Sequence, residues 1–351
     1  MRLFKIYIIA LLLGLSGCIE PVEIAVDKEP RALVVNGLIT NAPGPYTVKL
    51  NRSYYYGEYY GTVHPDVFGA TVTITDNEGF SEVLVQKEPG RFETAANGIV
   101  GKIGNSYQLK IKLKNGQEYI SEPEELKAVP AIENIATAFT QEHTLDENGV
   151  DVLSNMLKVT VDTKDPANEK NFYRWSSVGT YQVLTQPEDY KEKIRGVYVP
   201  RPKACCRDCW ITDPNNGILV KEDRLFNGQM LTNEPVFKIP ATPRYFDIKY
   251  RIEISQYSLS EKAYNFWKTM QMQSTGNGSV QDPAPENAVG NLSAVNTPQE
   301  KVVGYFGASG ISKKVHIITR ADIPVLIQKY VYPDDCRTLP FSTTVKPAFW
   351  Q

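Results

Sequence analysis

Histidine is scarce in this sequence: His64, His143 and His316 are the only three among 351 residues, and they lie far apart. This scarcity argues against a metal centre built from histidines and against a hydrolase that uses histidine as its base. Basic residues are not in excess either, since the formal net charge is −2 and no run of Lys or Arg forms a basic patch. Nucleic acid is therefore not an expected partner.

Motifs of known catalytic sites are also missing. The sequence contains no Gly-x-Ser-x-Gly, the motif that presents a nucleophilic serine on a sharp turn. The stretch Gly98–Lys102 lacks the glycine spacing and the following Ser or Thr of a phosphate-binding loop. Paired carboxylates are harder to exclude, because any two of the 40 acidic residues could converge in the fold. The sequence favours a protein that is not an enzyme, with a hydrolase acting on glycan or peptide as the alternative.

Long apolar runs are absent except at the N-terminus, which has the parts of a secretory signal peptide. Arg2 and Lys5 provide its positive charge, and Ile6–Leu13 forms its apolar core. This core is much shorter than the roughly 20 residues that span a bilayer. A pair of small residues stands directly before Cys18, as in the lipobox of bacterial lipoproteins. Residues 1–17 are therefore predicted to be a signal peptide that is removed at Cys18.

The predicted modification of Cys18 is a diacylglyceryl group on its thiol. This covalent lipid is the only non-protein group that the sequence implies, and no other cofactor is expected. A single acyl chain binds a membrane weakly, while two or more anchor a protein stably. Residues 18–31 then form a lipidated tether. The remainder of the chain is expected to be soluble but held at a membrane surface.

The first part of the mature chain has the pattern of short strands. Val, Ile, Thr and Tyr are frequent, and apolar and polar residues alternate as in half-buried strands. The pair Asn115-Gly116 is typical of a tight hairpin turn. Residues 32–130 are therefore predicted to form an immunoglobulin-like β-sandwich. The predicted strands are Leu33–Ile39, Tyr46–Leu50, Ala70–Thr75, Ser81–Gln86, Gly90–Thr94, Ser106–Leu113 and Gln117–Ser121.

Residues 131–351 are predicted to form a second β-rich domain with one or two short helices. The strongest strand pattern is the alternation over Tyr245–Tyr257. The stretch Leu259–Gln273 changes to a helical period, with Ser258 or Ser260 as its N-cap. Its apolar stripe favours core packing over ligand binding, and the whole chain is assigned to the mainly β class. The stripe consists of Ala263, Phe266, Trp267 and Met270.

Four cysteines remain besides Cys18: Cys205, Cys206, Cys209 and Cys336. An even number of cysteines in an exported protein favours two disulfides, for which three pairings exist. The pairing that joins Cys205 to Cys206 is disfavoured, because a disulfide between adjacent residues requires an unusual peptide geometry. A bridge from the Cys205–Cys209 region to Cys336 is expected instead. A four-thiolate metal site is the weaker alternative, since adjacent cysteines fit structural zinc poorly.

A cluster of tyrosines lies between a predicted strand and the dipeptide His64-Pro65. Tyrosines at a loop tip form amphipathic surfaces suited to stacking on sugars or to contacting a protein. The alternative, which is favoured, is that they pack on their own hairpin. The cluster consists of Tyr54, Tyr55, Tyr56, Tyr59 and Tyr60.

Several segments together resemble the Bacteroidetes lipoproteins known as domain of unknown function 4249. The first is Leu33–Thr40, and the second is the cysteine cluster Cys205–Trp210. The most specific are Asp282–Pro285, Gly290–Leu292 and Val303–Ser309. The resemblance covers essentially the whole mature chain.

The resemblance implies a location and a transport association. Members of the family look like outer-membrane lipoproteins encoded beside TonB-dependent receptors whose N-terminus carries a carboxypeptidase-regulatory-like domain. No catalytic residue carries over. The expectation is a lipid-anchored protein of the outer membrane, exposed at the cell surface, that assists a TonB-dependent receptor or binds a small-molecule, glycan or peptide ligand. A structural or adhesive surface lipoprotein is a further alternative.

Overall fold

The structure is a computed structural model of the chain. It describes residues 31–55, 66–146, 148–167, 169–275, 288–326 and 332–350, and only the backbone at position 216. The predicted signal peptide, Cys18 and the family segment Asp282–Pro285 lie outside these residues. Three members of the tyrosine cluster also lie outside them, namely Tyr56, Tyr59 and Tyr60.

Up to residue 130 the chain forms short strands, as its alternation predicts. In β1, for example, Leu33, Val35 and Ile39 are buried while polar Asn36 points outward. The strands in this part are β1 (Leu33–Thr40), β2 (Thr47–Arg52), β3 (Thr71–Asp76), β4 (Ser81–Val83), β5 (Val85–Glu88), β6 (Arg91–Glu93), β7 (Ser106–Lys112), β8 (Glu118–Ser121) and β9 (Glu124–Glu125).

Longer strands come next. Between residues 131 and 260 they are β10 (Ile132–Leu145), β11 (Asp151–Lys164), β12 (Phe172–Leu184), β13 (Lys191–Ile194), β14 (Val197–Pro200), β15 (Asp208–Glu222), β16 (Met230–Pro240) and β17 (Lys249–Ser258). The last strands are β18 (Leu292–Ala294), β19 (Val302–Ser309), β20 (Ile311–Thr319) and β21 (Ser342–Thr343). Strands therefore dominate the structure, which confirms the mainly β prediction.

In the part of the chain that the structure describes, two helices interrupt the strands, α1 (Pro243–Phe246) and α2 (Glu261–Thr275). Helix α2 is the predicted one, and the hydroxyl of Ser260 accepts a hydrogen bond from the Ala263 N–H at 3.1 Å. Ser260 is therefore its N-cap. Short 3₁₀ turns occur at Pro187–Asp189, Arg320–Asp322 and Cys336–Thr338. Within the described ranges, no helix is both long and apolar enough to cross a membrane.

The predicted strand Tyr245–Tyr257 is wrong at its start. The strand begins only at Lys249, and Pro243–Phe246 forms helix α1 instead. Proline favours the first position of a helix, because its φ is already helical and its missing N–H needs no partner there. The alternation continues through the helix because Phe246 is still buried in the core.

The N-terminal strands form a β-sandwich. One sheet has the order β19-β1-β2-β6-β5, and the other has the order β18-β8-β7-β3-β4 with β9 paired to β7. The two sheets share one apolar core, which includes Leu33, Phe92, Leu109 and Phe306.

The division predicted at residue 130 differs from this arrangement in one respect. Strands β18 and β19 come from late in the chain, yet they complete the two sheets of the first sandwich. β19 lies parallel to β1 in full register, from the pair Leu33 and Val302 to the pair Thr40 and Ser309. A parallel pair needs a long connection, and here the chain from residue 41 to residue 301, which includes β2–β18, supplies it.

The remaining long strands build the second β-rich unit. Its sheets have the orders β10-β11-β16 and β20-β17-β12-β15-β21, and they share a core that includes Leu157, Trp175 and Ile252. The Trp175 Nε1 donates to the Gln256 side chain at 2.8 Å, so this buried indole has its partner. Trp210 and Trp350 are also buried. Strands β13 and β14 form a separate two-stranded sheet that is not part of the sheets of either unit.

Candidate functional site

Three of the segments that carry the family resemblance meet where helix α2, which packs mainly on β15 of the second unit, also contacts β19 of the first sandwich. We call this contact the seam. β1 and β19 form the sandwich side, and the rings of Phe266 in α2 and Tyr305 in β19 lie 5.1 Å apart. A small apolar cluster fills the seam, and its buried members are Phe172, Val220, Leu259, Ala263, Tyr264, Phe266 and Tyr305. The predicted core role of the α2 stripe is confirmed, since Trp267 and Met270 pack against the same cluster.

Asn291 holds β19 at the seam. Its side-chain oxygen accepts from the Phe306 N–H at 3.0 Å, and its amide group donates to the Phe306 carbonyl at 2.8 Å. The side chain thus satisfies both backbone groups of Phe306, as a neighbouring strand would. Asn291 is buried, so losing it would leave these groups without partners.

Glu124 in β9 is a buried acid of the seam, with 3% of its surface exposed. Its carboxylate accepts hydrogen bonds from the hydroxyls of Tyr305 and Ser260, at 2.5 and 2.8 Å. One carboxylate therefore joins the first sandwich to the N-cap of α2. Burial raises the pKa of Glu124, although these hydrogen bonds oppose the rise. Burial and the nearby acid also raise the pKa of Tyr305, so its phenol remains a donor.

Sequence reasoning missed the role of Glu124. The residue follows Pro123 in a stretch that has the composition of a linker, and its neighbours Glu122 and Glu125 are exposed. A single sequence contains no signal that separates one glutamate of this group from the others. Only the return of β19 to β1 places Tyr305 beside it.

Glu124→Gln is expected to change how stability depends on pH. In the wild-type protein the folded state retains the Glu124 proton to a higher pH than the unfolded state does, because its pKa is raised. The stability from this proton is complete below the unfolded pKa of about 4.3 and is lost as the pH rises through the folded pKa. The variant does not lose stability in this way, because glutamine does not titrate. Relative to wild type it should gain stability in urea unfolding experiments as the pH rises above about 4, through the interval between the unfolded and the folded pKa.

Glu125→Gln is the matched control, because Glu125 belongs to the same strand and is exposed. Its stability difference from wild type should stay flat over the same pH range. An equally flat difference for Glu124→Gln would contradict the assigned role of the buried acid.

A cavity of about 210 Å³ opens at the seam between β1, β19, β12 and α2. Its walls include the middle of β1, alternate residues of β19 and the apolar side chains of Leu259, Ala263 and Trp267. None of the described residues that line it is an acid, a histidine or a cysteine. The phenol of Tyr305 also lines it, but its hydroxyl already donates to Glu124. The described lining therefore suits binding.

Arg174 of β12 is the charged residue of this cavity. Its guanidinium carbon lies 4.3 Å from the centre of the Trp267 ring and 4.9 Å from that of Tyr257. Its Nε is buried and has no hydrogen-bond partner among the described residues. Desolvation lowers the pKa of Arg174, and the facing Tyr257 partly opposes this. The sequence signal was weak, because Arg174 looks like one polar residue in a strand of aromatic neighbours.

The cysteine pairing predicted from sequence is wrong in one half. Cys205 is bonded to its neighbour Cys206, the pairing that was disfavoured. The peptide bond between them is cis. The expected long bridge is present between Cys209 and Cys336.

The same pairing bears on the metal alternative. Both sulfurs of the adjacent pair and a carboxylate oxygen of Asp335 lie within 4.8 Å of one another. Sulfur atoms bonded in disulfides are not thiolates, and thiolates are the ligands that a zinc site of this kind requires. Asp335 is already bound by the side chain and N–H of Arg337, which lowers the pKa of Asp335 well below its usual range.

Further contacts hold the cysteine segment against the C-terminal part of the chain. The Cys336 N–H donates to the Cys206 carbonyl at 3.0 Å, and the Thr185 hydroxyl donates to the same oxygen at 3.0 Å. Lys203 forms an ion pair with Asp334. We call this assembly the cysteine corner.

The hairpin β13-β14 extends from the cysteine corner. Its base is fixed there, because Lys203 contacts both Asp334 and the ring of Tyr190. Every residue of the two strands is exposed. The large apolar side chains among them are Ile194, Val197, Tyr198 and Val199. A surface of this kind is suited to contact with another protein.

The described tyrosines of the predicted cluster lie just after β2. Tyr54 is 40% exposed, and the Tyr55 ring lies 4.8 Å from the guanidinium carbon of Arg31. Their predicted ligand or partner role stays a prediction. His143 pairs with Asp151 at 3.0 Å on the exposed β10-β11 hairpin, far along the chain from His316 in β20.

The model of a protein family described as domain of unknown function (DUF4249) matches residues 19–315. This range includes both sandwich sheets, the seam and the cysteine pair, while Cys336 lies beyond it. A search of curated proteins finds no match.

Proposed function

The chain belongs to the family known as domain of unknown function 4249, and from this premise we propose that it is a non-enzymatic accessory lipoprotein of a TonB-dependent receptor. It is anchored in the outer membrane through the lipid on Cys18 and faces the cell surface. There it contacts the receptor and assists nutrient uptake. The lipobox pattern before Cys18 supports the anchor, and stable anchoring follows from two or more acyl chains.

The observation that carries this proposal is the exposed hairpin β13-β14 on the cysteine corner. An isolated two-stranded hairpin is marginally stable in water, and this one presents its apolar side chains to solvent on both strands. Its base is braced by the ion pair of Lys203 and by the bridge between Cys209 and Cys336. A braced projection with Tyr198 at its centre has the composition of a protein contact rather than of a core element.

Co-purification tests the proposal. The full-length lipoprotein, extracted from outer membranes in mild detergent, should bring down a TonB-dependent receptor at near-stoichiometric amounts. Val197→Ser combined with Tyr198→Ser should reduce receptor recovery at least about tenfold, because a central aromatic residue often dominates an interface. Both side chains are exposed, at 65% and 64%, so folding should be unaffected.

Val83→Ser combined with Val85→Ser is the matched control. These valines are exposed on short strands of the first sandwich, and their loss should leave receptor recovery unchanged. Failure of the wild-type protein to bring down any TonB-dependent receptor would overturn the proposed function. Equal receptor recovery with both double variants would instead show that the hairpin β13-β14 is not the receptor contact.

A further inference from the structure

The cation of Arg174 has no anion beside it. Its buried Nε has no hydrogen-bond partner among the described residues, and none of the described residues that line the cavity is an acid. Arg251 in the adjacent strand β17, by contrast, is paired, at 3.0 Å from Glu253. Arg174 therefore differs from an ordinary structural arginine in lacking a carboxylate partner.

Burying a charge without a partner is costly, and proteins ordinarily pair or hydrogen-bond such groups. The rings of Trp267 and Tyr257 offer partial compensation, because an aromatic face attracts a cation. An aromatic face accepts none of the in-plane N–H bonds of a guanidinium, which are the donors that match an oxyanion. Arg174 is one of the residues that line a cavity of about 210 Å³.

We infer that Arg174 and the seam cavity form a binding site for a small monocarboxylate, held by the guanidinium group. The charges then balance, since one carboxylate meets one cation. A phosphate dianion would add a second negative charge where the described lining offers no second cation. This site is independent of the receptor contact proposed above.

The remaining walls of the cavity determine which group is attached to the carboxylate of the ligand. Leu259, Ala263 and the ring of Trp267 form an apolar wall. A volume of about 210 Å³ is below the range of pockets for drug-sized ligands. The fitting ligand is therefore a short aliphatic acid, or the carboxyl end of a larger molecule that enters past exposed Asn36.

Titration of the full lipidated chain in detergent tests the inference. The probes are formate, acetate, propionate and butyrate, with butyramide as the uncharged analogue of butyrate and inorganic phosphate at pH 8 as the dianion. Binding is measured by calorimetry and by tryptophan fluorescence, since Trp267 borders the cavity. Affinity should rise about threefold to fourfold for each added methylene that the wall covers. Butyramide and phosphate should each bind at least about tenfold more weakly than butyrate.

Arg174→Met should weaken butyrate binding by about 10- to 100-fold. Arg174→Lys should give an intermediate loss, because lysine keeps the charge but not the paired N–H donors of a guanidinium. Arg251→Met is the matched control, since it removes a cation and an aromatic contact on the adjacent strand and should leave binding unchanged. Butyrate at saturation should raise the melting temperature of wild type and of Arg251→Met but not of Arg174→Met.

The comparison of butyrate with butyramide on the wild-type chain does not depend on how any variant folds. Equal binding of the two, tighter binding of phosphate than of butyrate, or no carboxylate binding at tens of millimolar would each overturn the inference.

Discussion

Gly304→Ala is expected to lower the free energy of unfolding by roughly 3–6 kcal/mol, a large part of the stability of a typical domain. Gly304 has a φ of +104°, which residues with a side chain rarely adopt. A Cβ at this position would lie 1.9 Å from the carbonyl oxygen of Val35 in β1. No side-chain rotation relieves an overlap with backbone, so the pair β1 and β19 must separate locally.

The same position is crowded from a second side. A Cβ on Gly290 would lie 1.9 Å from the carbonyl oxygen of Gly304. Three backbone segments that carry the family resemblance therefore converge here, and two of them need glycine to do so. Chemical denaturation and the yield of soluble protein measure the effect.

Gly307→Ala is the control for this prediction. Gly307 lies in the same strand, and the nearest atom to its added Cβ is the flexible Cδ1 of Leu38 at 3.3 Å. A change within about 1 kcal/mol is expected. A Gly304→Ala chain as stable as Gly307→Ala would show that β1 and β19 do not approach as closely as described.

Cys209→Ala combined with Cys336→Ala is expected to cost about 5 kcal/mol of unfolding free energy. The bridge joins residues 127 positions apart, and in the chain-entropy model a loop of this length constrains the unfolded chain by about that amount. Both cysteines are fully buried, so the substitution also leaves small cavities. Guanidinium denaturation without reductant measures the loss.

Cys205→Ala combined with Cys206→Ala provides the comparison. This bond joins adjacent residues and closes no loop, so the loop-entropy contribution is absent. The double variant should retain stability to within about 1 kcal/mol. A similar loss in both double variants would mean that loop closure is not the source of the stabilisation.

Local pattern was sufficient for most strands and for the main helix. The alternation of Leu33, Val35 and Ile39 predicted β1, and buried side chains stand at these positions. The helical stripe through Phe266 predicted α2, whose N-cap is Ser260. Both patterns arise because a strand or an amphipathic helix buries one face at its own period.

The boundaries of elements and the pairing of cysteines were harder to predict from the sequence. The alternation from Tyr245 onward predicted one continuous strand. The chain instead makes a helical turn at Pro243–Phe246 before strand β17 begins. The adjacent pairing of Cys205 with Cys206 contradicts the expectation from sequence. Cysteine positions alone do not specify connectivity, since the number of possible pairings exceeds what spacing can distinguish.

The lipobox at Cys18 and the strand content can be read from the sequence, because each depends on residues that are close together in the chain. The seam depends on residues that are far apart. Glu124, Arg174 and Tyr305 meet at one contact only because β19, far along the chain, pairs with β1. Arg174 is charged in any fold, but only the tertiary structure places it between aromatic rings and beside a cavity. That is why the carboxylate site is a conclusion from the folded chain and the lipid anchor a prediction from its first residues.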